Sequence, residues 1–132
     1  MTETSGSQPP SARPMPVLVG DSAALFDQAR LPTGALWRLQ ESPRQLDANV
    51  VHLAPGQRVE TNVEPALDVL LHVLQGDGQV LTRDEPVDLR PGSLLWLPRG
   101  SRRGLQAGPE GVSYLTVHVR RPPLGIGRPP GG

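Results

Sequence analysis

The chain has no cysteine, no lysine and only four Phe, Trp or Tyr residues among its 132. Without cysteine there can be no disulfide, no thiolate metal site and no cysteine nucleophile. The longest apolar runs, such as Val69 to Leu74 with His72 inside, fall far short of the roughly 20 residues a bilayer span needs, so no membrane association is expected. Charge of one sign is also lacking: thirteen acidic side chains balance thirteen basic ones, all arginine. No net field steers nucleic acid toward such a chain, and no nucleic-acid partner is expected. The short clusters RGSRRG at 99–104 and Arg120-Arg121 read as solvated or ion-paired surface. The N-terminus has neither the basic start nor the apolar segment of a secretory signal, which points to the cytoplasm. No G-x-S-x-G, P-loop or glycosidase-like acid pair is present. Trp37 and Trp96 read as packing residues, since large rings dominate small cores.

What the chain has in quantity is proline and glycine, sixteen and fifteen residues. Its length suits one domain, which buries about two-thirds of the surface exposed by the unfolded chain. Residues 1–16 and 121–132 have the composition of disordered tails and bracket a domain at 17–120. VLVG at 17–20 suggests a short strand. DSAALFDQAR suggests a brief helix capped by Asp21 or Ser22. From Ala35 onward, short apolar stretches alternate with turn signals every eight to twelve residues, the pattern of an all-β sandwich or barrel. ALDVLLHVL admits a helical reading, but its valines and closing Gly-Asp-Gly favour a strand entering a hairpin, with Gly76 and Gly78 bracketing Asp77. In APG and RPG, Gly56 and Gly92 suit the positive-φ position of type II turns.

Two spacings carry a family resemblance. Gly56, Asn62, Glu64, Val69 and Gly76 follow G-x5-H-x-H-x4-E-x6-G without a gap. Gly92, Pro98, Gly100, Arg103 and Ala107 follow G-x5-P-x-G-x2-H-x3-N, after fifteen intervening residues. Over about residues 35–120 the chain thus resembles a small single-domain bacterial cupin, with motif one at 56–76 and motif two at 92–107. The resemblance implies an antiparallel β-barrel of double-stranded β-helix or jelly-roll type, preceded by the short N-terminal helix read from the residues, and it implies a homodimer.

In metal-binding cupins the three His/Glu positions of the first motif and the histidine of the second hold the ion. Here they carry Asn62, Glu64, Val69 and Arg103, of which only Glu64 is a good ligand; arginine cannot be deprotonated to bind. The usual metal site is broken and no cofactor is expected. Asp68 could replace position 69 only through a bulge, because a one-residue shift turns a strand side chain to the opposite face. His72 lies at odd offset from 69 and is expected to face outward. His52 and His118 stay open as further metal candidates beside Glu64. A buried charge must be paired, which suggests that Arg103 takes over the cation's place against Glu64, so that Arg103→Ala destabilises and Arg102→Ala does not. Two other readings stay open: a solvated arginine cluster, or an Arg103 that clamps a ligand carboxylate or phosphate. The leading functional expectation is a small-molecule binder, for an anion among other ligands, with Asn62, Glu64 and Arg103 at the pocket and no catalysis. The alternatives are an oxygenase or isomerase in which Glu64 and non-standard histidines hold a divalent transition metal, and a structural or partner-binding barrel.

Overall fold

A computed structural model of the chain describes residues 14–121. Nearly all of the two expected tails lies outside the described residues. Local turn chemistry sets the framework. Gln57 N–H donates to the Ala54 carbonyl at 2.9 Å around Pro55-Gly56, and Ser93 N–H donates to the Arg90 carbonyl at 2.9 Å around Pro91-Gly92. Gly56 has φ +73° and Gly92 φ +92°, the left-handed conformation expected of both. Between the turns run seven strands, β1 Gly34–Arg38, β2 Leu46–Leu53, β3 Arg58–Val63, β4 Val69–Leu81, β5 Val87–Leu89, β6 Leu94–Leu97 and β7 Arg102–Val119. Every pairing is antiparallel. The fold is all-β, as the spacing of turn signals implies, and ALDVLLHVL enters a strand.

Three local expectations need correction. Gly76-Asp77-Gly78 is not a hairpin. It lies inside β4, whose pairing with β7 runs from Leu70↔Val117 to Leu81↔Gly104 with register shifts at Val73/Gln75 and Gly76/Gly78. Gly76 (φ +75°) and Gly111 (φ +84°) let the two backbones touch at this bulge, so both long strands bend instead of reversing. The expected N-terminal helix is one 3-10 turn, Ala24–Phe26, with Asp21 Oδ1 accepting the Ala23 N–H at 3.0 Å. The N-cap position is Ala23, without a side-chain cap, rather than Asp21 or Ser22, and the segment is too short to offset the cost of helix nucleation. Residues 17–20 form no strand; the Trp37 indole N–H donates to the Val19 carbonyl at 3.2 Å and ties this segment to the outside of the sheet. No helix among the described residues is long and apolar enough to cross a membrane.

The shared bend divides β4 and β7 between two sheets. Sheet one has the order β1-β2-β7-β4-β6 and uses the end of β7 and the start of β4. Sheet two has the order β3-β7-β4-β5 and uses the start of β7 and the end of β4. Leu53, Leu71, Val73, Val112 and Tyr114 from sheet one meet Val80, Leu89 and Ala107 from sheet two in one core. Because both long strands turn over at the same place, their free ends converge opposite the bend. Two contacts continue the strand pairings into the mouth: Gly100 N–H donates to the Glu64 carbonyl at 2.7 Å beyond β3 and β7, and Arg99 N–H to Asp68 Oδ1 at 2.8 Å beyond β4 and β6. The result is a jelly roll with an open mouth.

Candidate functional site

On the sheet-two side of the mouth, Asn62 and Arg103 are partners across β3 and β7. Arg103 alternates with Leu105 and Ala107, which pack in the core, so its side chain starts inward. Its Nη1 donates to Ser101 Oγ at 2.7 Å, to the Pro98 carbonyl at 3.1 Å and to the Ser101 carbonyl at 3.4 Å. The expected Arg103–Glu64 ion pair is not made. Glu64 Oε1 instead pairs with Arg121 Nη2, and Glu64 Oε2 accepts the Ala66 N–H at 2.9 Å. The Arg121 guanidinium and this amide, with a weaker push from the charge on Arg103, hold the Glu64 carboxyl below the usual range. Arg121 belongs to the stretch expected as tail, yet it crosses the mouth from sheet one to the end of β3. Oxygens two and five residues away hold Arg103 Nη1, while Arg121 and the Ala66 amide hold the two oxygens of Glu64. Among the described residues the ion pairs are Arg44–Asp47, Arg58–Glu60 and Arg121–Glu64, and Arg103 has no carboxylate within reach.

The histidines separate by face. His72 pairs with Leu94 and Leu115 on the outer face, as its offset from Val69 requires. His52 also sits on the outer face, 5% exposed, with Nδ1 2.7 Å from Ser113 Oγ, and burial pushes its pKa down. It therefore lies on the face opposite to that of Asn49 and Thr116. His118 lies on the inner face opposite Asp47. Its Nδ1 is 2.8 Å from the Val119 carbonyl; a carbonyl only accepts, so Nδ1 is the donor. Asp68 is held by the Arg99 amide and does not replace Val69. The donors at the four ligand positions are thus an amide, a carboxylate already ion-paired, an alkyl group and a guanidinium, a set that does not fit a divalent transition metal. No three His, Asp or Glu side chains gather as a metal site among the described residues.

The inner face of sheet one supplies groups that the motif spacing does not single out. Arg38, Asn49, Thr116, Leu71 and Leu95 form one row across five strands, with Ala35, Val51, Tyr114 and Val73 in the row below. A cavity of about 540 Å³ touches Arg38, Arg44, Asp47, Asn49 and Val51. Arg44 Nη2 bonds Asp47 Oδ1 at 2.9 Å and holds that carboxyl low. A second cavity, about 460 Å³, is lined by Val80, Leu95, Leu97, Ser101 and Arg103, with Arg83, Asp84 and Arg102 also on its wall. Tyr114 is 5% exposed, burial pushes its pKa up to about 12, and its hydroxyl has no hydrogen-bond partner among the described residues. Period-two alternation in LDANVVHL and VSYLTVHV was the available signal, since it puts Asp47 with Asn49 and Tyr114 with Thr116 and His118 on one face.

Two bent long strands shared between two sheets, with a polar mouth at their free ends, define a cupin-type barrel. Residues 54–124 match the model of the AraC-like ligand binding domain, more than half of the chain, and the protein belongs to this family of the cupin superfamily. Solved structures agree on the fold. A protein from Bacillus halodurans is 16% identical with a TM-score of 0.65, over 86% of this chain and 88% of that one. A cupin superfamily protein from Desulfitobacterium hafniense is 21% identical with a TM-score of 0.61, over 85% and 94%. The Cnp3 cupin domain of Schizosaccharomyces pombe is 19% identical with a TM-score of 0.57; the match covers 64% of this chain and spans 59% of that domain's length. No curated protein matches the sequence.

Proposed function

We propose that the protein binds a small anionic molecule between its two sheets without the usual cupin metal, with Arg103 as the anion's partner and Asn62 and Glu64 at the rim. The observation that carries this reading is a half-buried, inward guanidinium held by three neutral oxygens and no carboxylate. A partly desolvated charge of this kind is costly until a counter-ion arrives, and a planar guanidinium receives carboxylate or phosphate well. With Nη1 engaged, Nη2 and Nε remain to donate. Apolar Val80, Leu95 and Leu97 on the same cavity leave room for a hydrocarbon body. Membership of a ligand-binding family supports binding over a purely structural role. The donor set at the ligand positions favours binding over metal-dependent oxygenase or isomerase chemistry.

Thermal melts with a panel of phosphate, sulfate and short carboxylates test it. A ligand of the native state raises the melting temperature with concentration. Arg103→Gln is expected to remove at least about tenfold in affinity, the loss of one charge-assisted hydrogen-bonding partner. Arg30→Gln, at an exposed position away from this cavity, is expected to leave binding unchanged. Equal responses from the two variants would sink the assignment of Arg103, and a stoichiometric transition metal lost in Glu64→Ala would move the reading to the metal-dependent alternative.

The homodimer belongs to the same proposal. Leu70, Leu94 and Trp96 are contiguous on the outer face of sheet one and are 45%, 71% and 58% exposed. Patches of this kind mark interaction sites, and a flat sheet face suits twofold self-association. Sedimentation is expected to give twice the 14.1 kDa chain mass, falling to monomer in Trp96→Glu. A monomeric parent protein at micromolar concentration would refute the dimer.

A further inference from the structure

Outside the barrel, Trp37, Val50 and Leu115 form a row across β1, β2 and β7 on the outer face of sheet one. Val50 is only 4% exposed there, yet among the described residues no strand or long helix lies over it. Its cover is the segment 19–25, which forms no strand and is tied down by the Trp37–Val19 hydrogen bond. Gly20 rests on the indole, where an added β-carbon would stand 3.2 Å from Nε1. Between segment and sheet lies a cavity of about 290 Å³, walled by Leu25, Trp37, Val50, Leu74 and Leu115 and rimmed by Asp21 and Ser22. The wall residues are buried or half-buried while Asp21 and Ser22 are exposed, so the apolar end is deep and the polar end faces solvent. Leu70, Leu94 and Trp96 belong to the β4 and β6 side of the same face and are not part of this cavity.

We propose that this outer cavity binds a small organic cation, an ammonium group carried on an aromatic or branched apolar body. The body packs on Trp37 and the aliphatic wall, and the ammonium meets the Asp21 carboxylate. Water in the deep part would lack the roughly two to four polar partners that an ordered water needs, whereas an apolar body gains contacts there. Small-molecule pockets start at about 300 Å³, so a cavity of this size takes a ligand of one ring or a short branched chain. Asp21 is the one charged side chain on the wall, which selects for positive charge. Its Oδ1 accepts the Ala23 N–H, and its Oδ2 has no hydrogen-bond partner among the described residues. Residues 1–13, MTETSGSQPPSAR, contain no Val, Leu, Ile or aromatic side chain and so supply no apolar plug. The cavity shares no residue with that of Arg103, and the two proposals stand or fall separately.

The test is calorimetry on the full-length chain with three probes: 2-phenylethylammonium, 2-phenylethanol, which keeps the body without the charge, and ethylammonium, which keeps the charge without the body. The first is expected to bind about fivefold tighter than the alcohol, the upper value of an ion pair at an exposed carboxylate. It is expected to bind at least about tenfold tighter than ethylammonium, which buries no ring. Asp21→Asn keeps the oxygen that accepts the Ala23 N–H and is expected to erase the advantage over the alcohol. Asp27→Asn, at an exposed carboxylate off the wall, is expected to retain that advantage. Leu25→Ala is expected to weaken both phenyl probes about fivefold through lost apolar contact. Alcohol binding as tightly as the phenylethylammonium, or an advantage that survives Asp21→Asn, overturns the proposal. So does ammonium binding that is indifferent to Leu25→Ala, which would place it elsewhere on the chain. Silence from all three probes also overturns it; if Leu25→Ala then turns a dimer into a monomer in sedimentation, the occupant is a second copy.

Discussion

Gly76→Ala is expected to destabilise the domain by about 3 kcal/mol or more, or to prevent folding. A β-carbon at Gly76 would stand 2.1 Å from the Gly111 carbonyl oxygen, 2.9 Å from its carbon and 3.0 Å from Val112 Cα. All three are backbone atoms of the strand across the bulge, so the clash is relieved only if β4 and β7 part at the bend that creates both sheets. To that is added the left-handed conformation, about 1–2 kcal/mol for a residue with a β-carbon, and overpacking in a close-packed interior costs about 1–3 kcal/mol. Gly56→Ala separates the two causes. Gly56 has nearly the same φ, +73°, but nothing within 4 Å of the added carbon. Its loss is expected to stay at the conformational part, about 1–2 kcal/mol. Urea midpoints of the two variants decide the matter, and similar losses would mean that strand contact at the bulge is unimportant.

Tyr114 is expected to respond in opposite directions to two substitutions. Tyr114→Ala removes a ring that is 95% buried at the centre of the core, between Val51 and Val73 in register, and is expected to cost about 3–5 kcal/mol. Tyr114→Phe keeps the ring and removes only the hydroxyl. A buried hydroxyl without a partner carries a desolvation penalty of about 1–3 kcal/mol, so Tyr114→Phe is expected to leave the unliganded protein as stable or to stabilise it by up to that amount. Denaturant unfolding without added ligand measures both. A loss above about 1 kcal/mol in Tyr114→Phe, the usual value of an intramolecular hydrogen bond, would show that the hydroxyl is already satisfied inside the protein.

The legible part of the molecule was its local chemistry. Gly56 and Gly92 follow proline in four-residue turns whose hydrogen bonds close within the turn itself, so neighbours alone decide their conformation. The facing of His72 follows from period-two alternation once Val69 is placed inward. The same reasoning misread Gly76-Asp77-Gly78, since Gly-Asp-Gly serves equally as a hairpin or a bulge, and the choice depends on whether Gly111, thirty-five residues later, lies across from it.

The site divides in the same way. Motif spacing singles out Asn62, Glu64 and Arg103 as candidates, and β3 with β7 brings Asn62 and Arg103 into register. That Arg103 is a charge without a carboxylate was not legible, because it depends on Arg121 reaching Glu64 from the end of the other sheet. His52 and His118 look alike in sequence, each in an apolar strand near its end. They differ because β2 and β7 pair in a register that turns His118 toward the mouth and His52 toward Ser113 on the outer face.

By itself the sequence determined the all-β class, the turns, the cupin spacing and the absence of the usual metal donors. These depend on residue type and on separations of a few residues, within the reach of local backbone preferences. Only the tertiary structure decided where the long strands bend, which arginine neutralises Glu64, and that Asn49, Thr116 and Tyr114 share an inner face. Each of those outcomes is set by strand register between segments tens of residues apart, where a one-residue shift reverses every side chain.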